Sequence, residues 1–480
     1  MPANPTEREE LVAELGEAKA QIEELKKQLV TALATIERLA AELRKNSSNS
    51  SLPPSSDGPG AVSRGVREPK KPKSKRKRGG QKGHRGAHRE LLPLKQVDAF
   101  VDLYPEVCEG CTRPLAPSPD ADARRYQCLE LLAEGQHVTQ WQRHAVTCPC
   151  GHTTRAPYDP EVIPASPFGA RLTSVVAALS GVYHLSRRNT QRFFHEVFGI
   201  DISLGAIIAM EGRVSAALES ASEEAHKDVL AAEVKHADAT TWLMAGLTLS
   251  LWTLSTPRTT VFRIFQDGAR ATIEGMFSGA DGKHHGVLVS DRASVFGFWS
   301  MVLRQVCWAH LLRLFIGFSQ RAGPMGRFGR ELLEHASLVF EYWHGFISGE
   351  LSPEELQRRM LPVQRRFEAL LTRIVAADIR GFSGSCANLL AHAEALWTFV
   401  DTEGVEPTNN LAERDLRSFV IWRRLCYGSQ SESGLRFVER IMTVAMTLRK
   451  RGRGVLRFIE RCVTAHFSGT QAPALLSLEA

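Results

Sequence analysis

Four short segments between residues 231 and 290 constrain the fold of this 480-residue chain more than any other feature. Each is an apolar run of limited length with clear bounds, which is typical of a buried strand. The predicted strands are Ala231–Ala237, Leu243–Ser255, Thr260–Phe265 and Gly286–Ser290. The first and the last lead directly into an acid, Asp238 and Asp291 respectively. This order, with helices predicted later in the chain, indicates a mixed α/β sheet with acids at strand ends.

A third acid, Glu413, lies in the basic stretch Pro407–Arg417, for which we predict a helix. Three carboxylates at one point would repel one another unless a divalent cation lay between them. Oxygen ligands with open positions suit Mg²⁺ or Mn²⁺. Two such ions about 3.5–4 Å apart could hold the attacking and leaving oxygens of an in-line phosphoryl transfer. We therefore predict a metal-dependent site at Asp238, Asp291 and Glu413.

Helix capping is the alternative explanation for two of these acids. Asp291 could cap a helix running from Arg292 to Leu303. Glu413 follows Asn410 by three residues, the spacing of a capping box. Spacing alone leaves both interpretations open.

Four motifs, taken in chain order, resemble those of the insertion-sequence 66 family of DDE transposases. They are H-A-D-A-T-T-W (His236–Trp242), V-S-D-R (Val289–Arg292), C-W-A-H-L-L-R (Cys307–Arg313) and N-N-L-A-E-R-D-L-R (Asn409–Arg417). The resemblance extends from about residue 11 to residue 462.

This resemblance implies a ribonuclease-H-like catalytic domain in which Asp238, Asp291 and Glu413 are the catalytic residues and hold Mg²⁺. It also implies an enzyme that cuts the ends of an insertion sequence and joins the 3′ hydroxyls to target DNA. The chain departs from the usual family pattern at Ala239, where glutamate is more common, and at Leu425, where asparagine is. A zinc-containing DNA-binding regulator and a metal-dependent nuclease are the competing functions.

The N-terminal segment carries apolar residues at alternating steps of four and three. They are Leu11, Leu15, Ala18, Ile22, Leu25, Leu29, Ala32, Ile36, Leu39 and Leu43. This spacing predicts a coiled coil and a homo-oligomer formed through residues 11–43, whereas a single amphipathic helix packed on its own domain is the alternative.

A flexible linker and a basic arm are predicted next. Residues 46–60 are rich in Ser, Asn, Pro and Gly, and residues 64–89 contain twelve Lys or Arg and one acid. Such a charge run suits sequence-independent contacts with DNA phosphates, and a solvated tail is the alternative. The predicted contacts are Lys70, Lys71, Lys73, Lys75, Arg76, Lys77 and Arg78.

Two cysteine pairs predict a structural zinc site. They are Cys108-x2-Cys111 and Cys148-x-Cys150, and four thiolates can close a tetrahedral Zn²⁺ site. Buried cysteines without metal are the alternative, because the second pair has one intervening residue instead of two. A small zinc module at this point is also part of the family resemblance. A later pair, Cys307-x2-His310, is interpreted as core because two ligands cannot complete a site.

Two short helices are predicted at Asn189–Phe198 and Ser203–Val214, with Ser203 as the N-cap of the second. They resemble a helix-turn-helix unit, and a plain helical hairpin is the alternative. Arg187 and Arg188, just before the first helix, are predicted DNA contacts.

Charge and hydropathy indicate where the protein is located. Lys and Arg exceed Asp and Glu by 7, no apolar run is long enough for a membrane span, and no secretory signal pattern is present, so we expect a cytoplasmic, DNA-associated protein. Proteins encoded by the same insertion sequence are further candidate partners.

The predicted domains are a coiled coil (1–45), a basic linker (46–90), a zinc module (91–160), a helical region (161–228), a catalytic domain (229–425) with a helical insertion at about 325–400, and basic C-terminal helices (426–480).

Overall fold

The computed structural model describes residues 168–279 and 282–477 continuously. Before residue 168 it describes only 15–17, 19–29, 31–32, 36, 40, 49, 93–96, 114, 116, 145–147, 150 and 153–155. The chain divides into two compact units, Met1–Gly65 with Arg143–Ala480, and Val66–Gln142. The sheet, its helices and the candidate site described below belong to the first unit.

Seven strands lie in the described part of the chain. They are β1 (Ala145–Thr147), β2 (Thr153–Arg155), β3 (Val234–Met244), β4 (Leu247–Ser255), β5 (Thr260–Phe265), β6 (Val287–Ser290) and β7 (Arg304–Val306). The first two form a small antiparallel pair. The other five form one sheet in the order β5-β4-β3-β6-β7, in which only β4 runs antiparallel to its neighbours. The predicted mixed α/β sheet is thus confirmed.

Thirteen α-helices are described between residues 168 and 477. They are α1 (Ala170–Ala177), α2 (Arg187–Phe198), α3 (Leu204–Ala217), α4 (Glu219–Ala231), α5 (Arg270–Phe277), α6 (Trp308–Ser319), α7 (Gly323–Ile347), α8 (Pro353–Ala376), α9 (Ser383–Leu390), α10 (Thr398–Asp401), α11 (Asn410–Cys426), α12 (Glu432–Lys450) and α13 (Val455–Ser468). Among the residues described, no helix is long and apolar enough to cross a membrane.

The predicted helix pair after residue 186 is present as α2 and α3. Ser203 is the N-cap of α3, as predicted, since its hydroxyl accepts a hydrogen bond from the backbone N–H of Ala206 at 3.1 Å. Ser186 caps α2 in the same way through Asn189. Both caps satisfy an N–H group that the first turn of a helix leaves unpaired.

The prediction that the first strand ends before Asp238 is wrong. Residue 231 ends α4, and β3 begins at Val234 and continues through Asp238 to Met244. The reason is the partner strand: β4 pairs with β3 along its whole length, up to Met244 opposite Leu247. Asp238 therefore lies within a strand, beyond the point where β3 stops pairing with β6.

The prediction of a strand from Leu243 to Ser255 is also wrong at its start. Ala245 and Gly246 form a two-residue turn between β3 and β4, and both have positive φ angles, of 48° and 86°. Positive φ at both central positions is the geometry of a type I′ hairpin turn, which matches the twist of paired strands. Ala245 conceals this turn in the sequence, because asparagine or glycine is usual there.

Glycine is required where the chain leaves α11 and returns to β3. Gly428 has a φ of 87°, and a Cβ atom there would lie 2.1 Å from the carbonyl oxygen of Leu243. The close approach allows Ser429 to donate its N–H to that oxygen at 2.8 Å and to accept the N–H of Ala245 at 3.0 Å. The Gly-Ser pair thus attaches the end of α11 to the hairpin of the sheet.

Helices cover both faces of the sheet. Leu288 of β6 belongs to a core cluster formed with α3, α4, α11, α12 and α13. Val287 and Val289, whose side chains point to the opposite face, belong to a second cluster formed with α6 to α10. The segment between β7 and α11, in which a helical insertion is predicted, supplies this second layer. Trp397 and Phe399 are buried in it.

Helix α12 closes the outer edge of β5 with hydrogen bonds from side chains. Thr447 and Thr443 accept the backbone N–H groups of Thr260 and Phe262 at 3.2 and 3.0 Å, and Glu439 accepts that of Ile264 at 2.5 Å. Four residues of helix rise about 6.0 Å and two residues of strand about 6.7 Å, so the two spacings match. An edge covered in this way cannot pair with another strand.

Replacement of Thr443 by valine is expected to destabilise the protein by about 1–3 kcal/mol, because the N–H of Phe262 is left buried without an acceptor. Valine has nearly the shape of threonine, so packing is preserved. Urea unfolding followed by circular dichroism measures the effect. The exposed Thr464→Val in α13 is the matched control, expected within about 0.5 kcal/mol of the parent. Equal stability of both variants would contradict the edge-capping role.

Several sequence predictions lie wholly or mainly outside the described residues. These are the linker, the basic arm with Lys70, Lys71, Lys73, Lys75, Arg76, Lys77 and Arg78, and the cysteines Cys108, Cys111 and Cys148. Cys150 is described and is exposed in the turn between β1 and β2. The described residues of the predicted coiled coil are helical, and Leu15, Ile22, Leu25, Leu29 and Ile36 are exposed there. Self-association stays a prediction.

Candidate functional site

Asp238 and Asp291 lie side by side on neighbouring parallel strands. The pairing of β3 with β6 runs to His236 opposite Val289, and each acid follows two residues later, Asp238 within β3 and Asp291 directly after the end of β6. Parallel neighbours in register present their side chains on the same face, about 4.8 Å apart. The topology thus brings together two acids that are separated by 52 intervening residues in the sequence.

Cys307, directly after β7, lies next to Asp291 at the same edge of the sheet. Ser290 is paired with Val306, so the residue after each strand is Asp291 in one case and Cys307 in the other. The N–H of Cys307 donates to the carbonyl of Ser290 at 2.9 Å, which fixes this register. Asp238, Asp291 and Cys307 therefore occupy one row across three parallel strands.

Glu413 lies in the first turn of α11, where its carboxylate faces α6. Its Oε1 atom is 3.2 Å from Nη2 of Arg313 and 3.4 Å from Nδ1 of His310. The capping alternative for Glu413 is not observed, because the N-cap of α11 is Asn409 and no side chain caps it. The alternative helix after Asp291 is not observed either, since the chain forms two short 3-10 turns there.

Asn409 connects the elements that carry these groups. Its side-chain amide donates to the carbonyl of Ala237 at 2.8 Å, and its Oδ1 lies 3.2 Å from Nδ1 of His236. Its backbone N–H donates to Sγ of Cys307 at 3.1 Å. Asn409 is fully buried. One residue thus holds β3, the start of α6 and the start of α11 together, a role that the Asn-Asn pair in the sequence does not reveal.

Burial and the neighbouring carboxylates change the protonation of Asp238. Burial, first, and then the negative charges of Glu413 and Asp291 raise the pKa of Asp238 from 3.8 to about 8, against the effect of a hydrogen bond from the N–H of Ala239. Burial also raises the pKa of Glu413, although Arg313 opposes the shift. Glu413 and Asp291 are therefore close enough to Asp238 to disfavour its charge, as expected of a site that takes up a cation.

Positive groups surround the acids. Arg304 is buried behind Asp291 and donates to its backbone carbonyl at 2.7 Å. Burial lowers the pKa of His310 to about 3, and the charges of Arg313 and Arg292 add to the effect, so His310 is neutral. Basic residues thus lie near the acids in the structure, as they lie near Glu413 in the sequence.

Cys307 and His310, interpreted from the sequence as core residues without a third partner, have one in the structure. In the described part of the chain, the ligand atoms of Cys307, His310 and Glu413 all lie within 4.8 Å of one another. Cys307 is fully buried, in agreement with the sequence interpretation. The third side chain was missed because it lies more than one hundred residues further along the chain.

The two arginines predicted to contact DNA have different surroundings. Arg187 forms a two-fold hydrogen-bonded ion pair with Glu211 of α3, at 2.7 and 2.9 Å, and Glu211 is buried. This ion pair holds α2 against α3, and a contact of Arg187 with DNA stays a prediction. Arg188 is exposed.

The metal-free protein is expected to lose stability as the pH rises from about 4 to about 8. In this window the unfolded chain ionises Asp238 at its ordinary pKa of 3.8, while the folded protein keeps the proton until about 8. Asp238→Asn removes this dependence and is expected to be more stable than the parent at pH 8. The measurement is thermal unfolding across this range in chelator. Asp401→Asn, at an exposed position, is the control. Parallel curves for parent and Asp238→Asn would contradict the raised pKa.

Comparison with known proteins gives two family matches. A family model described as "Transposase IS66 family" matches residues 165–436, and one described as a family of unknown function, DUF6444, matches residues 3–90. No curated protein matches the chain. The first match spans every described element from α1 to the start of α12 and includes Asp238, Asp291 and Glu413. Because it covers more than half of the 480 residues, the chain belongs to the IS66 family of transposases.

Proposed function

We propose that this protein cuts DNA at the ends of its insertion sequence and joins the freed 3′ hydroxyls to target DNA, using Asp238, Asp291 and Glu413. The observation that carries the proposal is the meeting of these acids. Asp238 and Asp291 lie side by side on neighbouring strands, and burial together with the charges of Glu413 and Asp291 raises the pKa of Asp238 to about 8. Such an arrangement is costly for stability and is characteristic of catalytic sites.

We propose further that the sheet is ribonuclease-H-like. Its support is the mixed strand order, with an antiparallel hairpin series β3-β4-β5 on one side and the parallel strands β6 and β7 on the other. In this fold the acids of the first and fourth strands of the sheet meet at its centre, as Asp238 and Asp291 do here.

The donor set fits a hard divalent cation. Three carboxylates supply only oxygen, and the unfavourable charge they share is the charge that Mg²⁺ or Mn²⁺ would neutralise. When bound, such ions supply activation of the attacking oxygen and stabilisation of the leaving one. Glu413 reaches the site from a helix, whereas Asp238 and Asp291 reach it from the sheet.

The remaining groups of the site bind and orient DNA in this proposal. Arg313 now pairs with Glu413 at 3.2 Å and is placed to contact a phosphate next to the acids. Arg304 lies behind Asp291, where it holds the backbone of that residue through a hydrogen bond to its carbonyl. Asn409 is a positioning residue, since it fixes the strand of Asp238 relative to the helix of Glu413. Arg188 and the basic arm add phosphate contacts that do not depend on base sequence.

The flanking parts serve assembly in this proposal. Residues 11–43 bring together two copies, and hence two element ends, through the exposed apolar stripe that includes Ile22 and Leu29. The four cysteines Cys108, Cys111, Cys148 and Cys150 hold a structural Zn²⁺ ion in a module next to the basic arm.

The test is incubation of the full-length protein with a labelled duplex that carries the inverted repeats flanking its coding sequence, together with a target plasmid and Mg²⁺. We expect cleavage at the repeat end and labelled strands joined to the plasmid. Cleavage without joining would instead identify a nuclease. Binding without any change in the DNA would identify a regulator, and either result would overturn the proposal.

A further inference from the structure

Cys307 occupies the third place in the row that contains two of the proposed catalytic acids. The row runs from Asp238 through Asp291 to Cys307, at the same edge of three parallel strands. Cys307 precedes α6, whose apolar residues begin at Trp308. The packing of this helix therefore does not account for a thiol beside two carboxylates. Its position raises the question of what the sulfur binds.

Three backbone N–H groups point to the sulfur of Cys307. Sγ accepts the N–H of Asn409 at 3.1 Å, and the backbone N–H groups of Ala309 and His310 also point to it. Several N–H donors on one sulfur stabilise negative charge there. Burial outweighs them in the metal-free protein and raises the pKa of the thiol to about 12. A cation that displaced the thiol proton would meet a sulfur already surrounded by donors.

His310 presents an unused nitrogen to the same point. Its Nδ1 atom is buried and has no hydrogen-bond partner in the described part of the protein, although Oε1 of Glu413 lies only 3.4 Å away. Two ligands of a tetrahedral zinc, each about 2.0 Å from the metal, lie about 3.3 Å apart. The nitrogen and the oxygen therefore already have the separation that one shared metal ion imposes.

We propose that Cys307, His310 and Glu413 bind a soft divalent cation of the zinc class, with a fourth position open to water. Their ligand atoms all lie within 4.8 Å of one another, and a sulfur, a nitrogen and an oxygen together select zinc over magnesium. The side chains of His310 and Glu413 are 15% and 25% exposed, which gives the ion a route from solvent. Arg313 must give up its contact with Glu413 when the ion binds.

The consequence is inhibition, because Glu413 belongs to both sites. Zinc held toward α6 draws the Glu413 carboxylate away from Asp238 and Asp291 and adds positive charge beside them. Magnesium then binds more weakly and DNA cleavage falls. This regulatory part rests on the proposed function, whereas the binding of zinc does not.

Titration of Co²⁺ into the metal-stripped full-length protein tests the binding directly, since cobalt bound to a thiolate absorbs in the near ultraviolet. We expect Cys307→Ser and His310→Ala each to bind one equivalent fewer than the parent, with the absorption of one thiolate lost in Cys307→Ser. Cys386→Ser is the matched control, because Cys386 is also buried but lies on α9. It is expected to bind as the parent does. All variants keep the other predicted zinc ligands, so the difference isolates this site.

Binding of as many equivalents of Co²⁺ as the parent by folded Cys307→Ser or folded His310→Ala would overturn the proposal. Circular dichroism establishes that each variant is folded. Should Cys307→Ser fail to fold, His310→Ala is the deciding variant, because Glu413 also belongs to the carboxylate site. The inhibition is tested by the ratio of the Mg²⁺-supported cleavage rate with Zn²⁺ to the rate without Zn²⁺. We expect Zn²⁺ to lower the cleavage rate at least tenfold in the parent and much less in His310→Ala. An equal ratio in both would overturn the inhibition. Because the Co²⁺ measurement needs no DNA, absence of cleavage would count against the proposed function alone.

Discussion

Glu413→Gln is expected to abolish DNA cleavage and joining, by on the order of 10⁴-fold, in a protein that remains folded. The substitution removes a carboxylate ligand and keeps the size of the side chain. Because burial raises the pKa of Glu413, a neutral group is tolerated at this position. The measurement is the cleavage rate of a duplex carrying the element ends in Mg²⁺, with circular dichroism as the check on folding.

Glu406→Gln is the matched control, since Glu406 is exposed and lies seven residues before Glu413. We expect it to cleave at the parental rate. Cleavage by Glu413→Gln within a few-fold of the parent would remove Glu413 from the catalytic set.

Asp415→Ala is expected to destabilise the protein by about 3–5 kcal/mol, because it leaves a buried lysine without its partner. The Asp415 carboxylate accepts hydrogen bonds from Lys450, Ser255 and Thr260 at 2.6, 2.7 and 2.8 Å. These contacts attach α11 to α12 and to two strands of the sheet. Asp415 is 4% exposed and Lys450 13%, so solvent cannot replace the lost charge. Urea unfolding measures the effect.

A double variant separates the ion pair from the rest of this network. Asp415→Leu combined with Lys450→Met removes both charges, and we expect it to recover much of the stability lost in Asp415→Ala. The exposed pair Arg373 and Glu331 is the control, and Glu331→Ala is expected to cost less than about 1 kcal/mol. A loss in Asp415→Ala no larger than this would contradict the buried pair.

The sequence pointed to Asp291 and Glu413 through local signals, although spacing alone left helix capping open as the alternative. Asp291 directly follows a short buried run, Glu413 lies in a helical motif, and the mixed sheet is as predicted. The bounds of β3 could not be read in the same way, because they depend on β4, which pairs with β3 beyond Asp238. The hairpin turn was hidden for a similar reason, since Ala245 adopts a conformation that its side chain disfavours.

Interactions between distant residues account for what was missed. Asn409 acts through three partners, of which Ala237 and Cys307 are each more than one hundred residues away. The sequence indicated basic C-terminal helices over residues 426–480 but not what they pack against. In the structure Lys450 is paired with Asp415, and α12 closes the edge of the sheet. No periodicity within α12 reveals that partner.

Calorimetric titration of Mn²⁺ tests the central claim, that the carboxylates form one site for a hard cation. The parent is compared with a variant carrying Asp238→Asn and Asp291→Asn, and with Cys307→Ser, which keeps all three acids. The account predicts binding by the parent and by Cys307→Ser and none at this site in the folded double variant. Equal Mn²⁺ binding by the parent and the double variant would contradict it.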